Sequence, residues 1–403
     1  VAAYVRIGSR FEDERTNGLS HFLEHMLYRG TERLPTAHEV NLAFERIGGY
    51  LYAATHADYG VASVTLPPDS LDQAVGLFAD VLLRPVFRDL EIEKGIVCEE
   101  ILEDLDDEGR QVDADNLSRA LMYGTHPLGF SIVGDERRVR SFDEAMLREH
   151  HRRHYTTGNM VLLFCGRVTP EQAFSLAERA FADAPQGARV PAIAPPFGQR
   201  KARLRVVENA SSQTDLRLCF RAVPETSELQ PALDVLMRVI DDGMSTRLYH
   251  RICDAQGLCY DVSASYEGYE DDGVVDFAAG VQHARTPRVA AEILELAREL
   301  AVDGPTEDEL DKVRRRLEWE LSAVLDGVEE LSHAVGTDAL FGKERTLAER
   351  LAVTRAVARE QVIEVARMVF RPERLSAVAV GLLEKAEHER FADVVRGWRG
   401  APG

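Results

Sequence analysis

The chain has 403 residues, 45% of them hydrophobic and 7% aromatic, enough for a sizeable core and too many for a single one, so at least two domains are expected. With 68 acidic against 48 basic residues the formal net charge is −20, which argues against a nucleic-acid partner. No apolar run approaches the ~20 residues of a membrane span, and five scattered cysteines without a C-x-x-C pair fit a reduced compartment rather than a disulfide framework.

In chain order, Val1–Ile7 reads as a strand, and the run NGLSHFLEHMLYRGT that follows reads as a helix. Ala53–Leu66 alternates as a strand, and helices are expected near 69–83 and 89–106. The apolar run Asn159–Gly166 (NMVLLFCG) follows a helix and a tyrosine-bearing turn. Residues 184–200 (APQGARVPAIAPPFGQR) are rich in Pro, Ala and Gly and read as a linker, separating domains at 1–185 and 201–403 across 186–200. Beyond it the programme repeats. Strands are expected in Arg203–Arg221, helices at Leu229–Asp241 and Arg247–Ala255, and strands at Tyr260–Tyr266 and Val274–Val281. Helices follow near 287–302 and 306–326, and Leu375–Gly381 (LSAVAVG) closes the half as an apolar strand. The fold class expected is α+β: two tandem homologous domains, each a mixed, mainly antiparallel sheet packed with helices.

Chemistry concentrates in His21-Phe22-Leu23-Glu24-His25. At 3.6 residues per turn, the two histidines differ by about 40° around the helix axis, with Glu24 inside the same arc. Imidazoles so placed can chelate zinc, and the carboxylate beside them can take a proton from a water the metal activates. A catalytic zinc needs a third protein ligand. The helix LEIEKGIVCEEILEDLDD offers Glu93 and Glu100, seven apart and nearly superimposed on a face shared with Ile96, Val97 and Ile101. A carboxylate on an apolar face is costly unless it is paired or bound to metal, and an amphipathic-helix edge is the plainer account of both. Glu91 and Glu99 point elsewhere and read as solvated.

The order H-x-x-E-H followed by a distant glutamate resembles the inverzincins, the pitrilysin and insulinase group that includes the mitochondrial processing peptidases. The likeness extends through GSRFEDERTNGLSHFLEHMLYRGTERLP, EKGIVCEEI, HPLGFSIVGDERRVRSF, HRRHYTTGNMVLLFCG and GMSTRLYHRICDAQGLCYDVSASY, in order along most of the chain. It implies a half-size member, similar to the processing peptidase beta subunit and its bacterial relatives, with two domains making half of a clam-shell. Residues 1–185 would be the zinc-binding catalytic domain, and 201–403 would contribute to the substrate chamber.

The resemblance makes His21, His25 and Glu100 ligands of one zinc ion per chain, Glu24 the general base and Glu93 a supporting acid. It implies hydrolysis of peptides or short unfolded segments, held by strand addition at Tyr52, Ala53, Ala54 and Thr55. The family's usual Asn falls on Tyr52. Tyr260, in QGLCY, matches a tyrosine that can donate to the tetrahedral oxyanion. Its usual arginine partner falls on Cys253, and a thiol cannot replace a guanidinium clamp. Arg251 is about 200° away around a helix and is no substitute. The implied partner is a second copy or a homologous subunit. Partner-dependent processing and a non-catalytic assembly role are the alternatives. A cytoplasmic location is expected, or a periplasmic or organellar one if a leader preceded Val1.

Overall fold

The computed structural model describes residues 1–343 and 345–401. The chain divides into two compact units. The first comprises Val1–Glu103, Phe130–Ile193 and Ser322–Glu344; the second comprises Asp104–Gly129, Ala194–Leu321 and Arg345–Gly403. The central break, between Ile193 and Ala194, falls inside the irregular stretch expected as a linker. The units are not the two contiguous stretches read from the sequence, because each takes in a helix from the other half of the chain. No helix of the described residues is long and apolar enough to cross a membrane.

In the first unit, β1 (Ala2–Val5), β2 (Tyr50–Thr55), β3 (Gly60–Thr65) and β4 (Met160–Leu163) form an antiparallel sheet in the order β2-β3-β1-β4. The alternating run at 53–66 is therefore a hairpin rather than one strand. It reverses at His56–Tyr59, where the His56 N–H donates to the Tyr59 carbonyl at 2.8 Å. Alternation persists through a short turn, so periodicity alone did not reveal the reversal. All four residues of β1 are buried. On one side lies the helix Val328–Leu340, whose Leu340 packs with Ala2 and Tyr4. Tyr4 Oη donates to the Ser332 carbonyl at 3.0 Å. Gly336 permits this approach, since a Cβ there would meet the Tyr4 ring at 2.2 Å.

In the second unit, β5 (Arg203–Val207), β6 (Thr214–Ala222), β7 (Cys259–Gly268), β8 (Gly273–Val281) and β9 (Leu375–Val380) are ordered β5-β9-β6-β8-β7. Only the β5–β9 pairing is parallel. The sequence β7-β8-β6-β9 repeats the first unit's β2-β3-β1-β4, so the duplication is topological. Phe220, Phe277 and Phe370 meet edge to face or tilted within the core, their ring centroids 5.2–6.2 Å apart. The helix Ala114–Tyr123 packs Ala114 and Leu117 against Val378 and Val380.

The helix α1 (Leu19–Leu27) carries the histidines. Leu19, Phe22, Leu23, Met26 and Leu27 recur at helical spacing and are at most 2% exposed, which fixes the rotation of the helix. Its N-terminus follows Gly18 in the left-handed region (φ 93°) and lacks a Ser, Thr, Asp or Asn cap. Glu12 takes that role from outside the helix. Its carboxylate accepts from the backbone N–H groups of Gly18 (2.8 Å) and Ser20 (2.7 Å) and from Asn17 Nδ2 (3.2 Å). Ser20 Oγ is 2.9 Å from His150 Nε2, on the helix Glu144–His154. His154, one turn on, bonds the Arg6 carbonyl through Nδ1 at 2.6 Å.

Glu12→Ala strands two buried N–H groups at the start of α1 and should lower stability by about 2–4 kcal/mol in denaturant unfolding. Burial, with lesser help from neighbouring positive groups, depresses His154 to about 4 and His150 well below its ordinary value. Below pH ~6.5 the unfolded chain takes up protons that the folded chain refuses, so these groups cost stability progressively as pH falls toward 4. His154→Asn should reduce the loss of unfolding free energy between pH 7 and 4 by an amount on the order of 3 kcal/mol.

Candidate metal centre

The helix α2 (Leu90–Leu102) lies against α1. Glu93, Lys94, Val97, Cys98 and Ile101 are buried, so the inward face centres near Val97 and Ile101. Glu93 and Glu100 lie on its flank. Ile96, expected on the same face, falls about 60° beyond Glu93 and is 47% exposed. Glu91 is exposed, and its carboxylate accepts from the buried Lys94 Nζ at 2.7 Å.

The two helices bring His21, His25 and Glu100 together, with one ligand atom from each within 4.8 Å of the others. Glu100 Oε1 stands 3.5 Å from His21 Nε2, and its Oε2 stands 3.7 Å from His25 Nε2. Both histidines thus turn Nε2 toward the shared carboxylate. Among the described residues this is the one group of three or more His, Cys, Asp or Glu side chains so placed. Two imidazoles and a carboxylate are the donor set of a catalytic zinc, with a coordination position left open.

Glu93 stands behind the group. It is 5% exposed, and its Oε1 lies 2.8 Å from His25 Nδ1. A carboxylate on the far nitrogen of a histidine fixes ring orientation and frees Nε2 for a cation. Arg29, in the turn just past the end of α1, balances the buried charge, with Nε 3.3 Å from Glu93 Oε2. Sequence reasoning missed Arg29, although the i,i+4 spacing from His25 was available. It also missed the Glu12 cap, which reaches across the loop before α1 from outside any helical period, and the Ser20–His150 contact, which joins segments distant in sequence.

Burial, reinforced by the nearby His25 charge, pushes His21 down to about 3, leaving it neutral with a free lone pair. Burial pulls His25 the same way, but the Glu93 hydrogen bond and the charges of Glu24, Glu93 and Glu100 outweigh it and raise its pKa. For Glu24 burial dominates and raises the carboxyl, against the opposing effects of Thr55 and His25. A raised carboxyl is the better proton acceptor. Burial likewise raises Glu100, against His25.

Of the residues expected to hold substrate, Tyr52, Ala53, Ala54 and Thr55 lie on β2, at the edge of the first unit's sheet. Tyr50 and Tyr52 are 65% and 50% exposed. Thr55 turns inward and donates its hydroxyl to Glu24 Oε2 at 2.5 Å. Tyr260 belongs to the second unit, on its edge strand β7, and is 93% exposed. It sits in a bulge, where the register of β7 against β8 shifts between Cys259 and Val262. Cys253 Sγ is 3.8 Å from Cys259 Sγ, and Arg251 is bonded to Glu299 at 2.6 Å.

Residues 1–136 match the family model described as Insulinase (Peptidase family M16), and residues 141–317 match that of the Peptidase M16 inactive domain. His21, Glu24, His25, Arg29, Glu93 and Glu100 all fall in the first match. An uncharacterized zinc protease of Mycobacterium tuberculosis is 30% identical, over 94% of this chain and 87% of its own. One from Bacillus subtilis is 29% identical, over 92% and 90%. Among solved structures, a peptidase M16 inactive domain from Pseudomonas fluorescens superposes with a TM-score of 0.87 at 21% identity, covering 95% of this chain and 93% of that one. A protease from Helicobacter pylori gives 0.86 at 20%, covering 94% and 93%. These two establish the shared fold. With its fold, its ordered motifs and these relatives in agreement, the chain belongs to the insulinase-type M16 peptidase family.

Proposed function

We propose that the chain is a zinc-dependent endopeptidase that cleaves peptides or short unfolded segments. The observation that carries this reading is the convergence of His21, His25 and Glu100 within 4.8 Å, with Glu93 set behind His25. His21, His25 and Glu100 hold one zinc ion per chain. The ion supplies a Lewis acid that activates water and polarises the scissile carbonyl. Glu24 removes the proton from the attacking water and returns it to the leaving amine. Glu93 keeps His25 oriented, and Arg29 faces the other oxygen of Glu93.

Substrate enters as an added strand along β2, paired through the backbone of Tyr52, Ala53, Ala54 and Thr55. Main-chain pairing accepts many sequences and excludes folded segments. Tyr260 donates to the oxyanion. A second reading, as the catalytic half of a pair with a second copy or a homologous subunit, is favoured by Cys253. That position offers no cation, and Arg251 is already committed to Glu299.

The purified full chain should bind one equivalent of zinc and cleave a peptide library in a chelator-sensitive way. Glu24→Gln should keep the zinc and lose about 10²–10⁴-fold in kcat. A chain that takes up no zinc and cuts nothing, alone or with a homologous subunit, overturns the peptidase reading and leaves an assembly role. Glu93→Ala should retain the three ligands but bind zinc roughly 10–100-fold more weakly, measured by competition with a chromophoric chelator.

A further inference from the structure

A carboxylate acting as general base has two oxygens, and a base held in one orientation presents one of them reproducibly. Glu24 Oε2 already accepts the Thr55 hydroxyl at 2.5 Å. The cavity around Glu24 and Thr55 is also lined by Val5, Ile7, Leu27 and Ala54 and by the hydroxyl-bearing Ser20, Tyr28 and Tyr155, none of which is hydrogen-bonded to Glu24 among the described residues. Among the described residues, Thr55 is the hydrogen-bond donor this carboxylate has.

Thr55 is itself well fixed. It closes β2, and its backbone registers with Gly60 across the hairpin. Its β-branched side chain restricts χ1, so the hydroxyl has a defined direction. Glu24 instead projects from α1 on a long, unbranched stem with several staggered rotamers. The bond therefore transfers the rigidity of the strand to the flexible group on the helix.

We infer that Thr55 is the positioning residue of the general base: its hydroxyl holds Glu24 Oε2, fixes the plane of the carboxylate, and leaves Oε1 to take the proton from water. Thr55 thereby has two functions on one residue. Its backbone belongs to the edge that receives the peptide, and its side chain sets the group that attacks it. This inference rests on Glu24 being the base.

The test uses the zinc-loaded full chain. Thr55→Val keeps the branched shape and removes only the donor. It should lower kcat on the order of tenfold while KM and zinc stoichiometry stay within twofold. Thr55→Ser, which restores a hydroxyl, should recover most of the loss. Independently of turnover, affinity for a phosphinic peptide, whose acid group meets Glu24, should fall with kcat. Affinity for an uncleavable reduced-amide peptide should not. Thr55→Ala serves as a second hydroxyl-free variant if the valine form unfolds.

A hydroxyl-free variant with kcat within twofold of wild type, beside an inactive Glu24→Gln, overturns the inference and spares the peptidase reading. Failure of serine to rescue also overturns it, since the loss is then one of shape. Full activity in Glu24→Gln overturns the assignment of the base, and the role of Thr55 with it.

Discussion

The hydrogen bond between His25 Nδ1 and the buried Glu93 carboxylate, 2.8 Å long, is the contact on which the metal centre depends. It joins α2 to α1, and these are the helices that carry the three grouped donors. A buried carboxylate is costly to desolvate unless it is paired and bonded. Glu93 meets that condition twice, with His25 on one oxygen and Arg29 facing the other. Removing either partner leaves the other's charge uncompensated in the packed interior. The same arrangement sets Nε2 of His25 toward Glu100, so one contact serves both packing and chemistry.

The duplicated topology distributes roles unevenly. In each unit the corresponding edge strand, β2 or β7, carries residues expected to meet substrate: Tyr52–Thr55 on one and Tyr260 on the other. Edge strands present unpaired backbone groups, which is a liability in most folds and a resource for a protein that captures extended chains. Among the described residues the donor group itself occurs in the first unit. There the helix following the first central strand, α1, is capped from outside by Glu12 and turns His21 and His25 toward Glu100 of α2. In the second unit the helix Gln230–Ile240 carries its polar residues as the stripe Gln230, Asp234 and Arg238, which bond to one another or to Glu320 and include no histidine.

Local features of the site were legible in the sequence because they obey local rules. His21, Glu24 and His25 share one turn, and helix geometry alone places them together. The heptad from Glu93 to Glu100 likewise marks one flank of one helix. Ile96 was misplaced because the period fixes relative angles but not which angle faces inward; burial of Lys94, Val97 and Ile101 decides that. The hairpin at 50–65 escaped because alternation continues across its turn. Contacts outside any regular element left no periodic trace: Glu12 across a loop on the start of α1, Thr55 on Glu24, and the helices Ala114–Tyr123 and Val328–Leu340 built into units formed mainly by the other half of the chain. Their partners are defined only once the sheets have formed.

On the peptidase reading, the chemistry of cleavage and the holding of substrate draw on different resources. The centre has an internally consistent set of charges: His21 held neutral by burial, His25 charge-supported by three carboxylates, and Arg29 balancing Glu93. The second unit offers an exposed phenol at Tyr260, and beside it two thiols in contact where a guanidinium would clamp a carbonyl. Without that cation, affinity has to come from the backbone pairs along β2, each a neutral hydrogen bond worth about 1 kcal/mol net. Such binding grows with the number of residues that can lie extended. A chain so equipped therefore favours longer unstructured peptides over short ones unless a partner subunit supplies the missing charge.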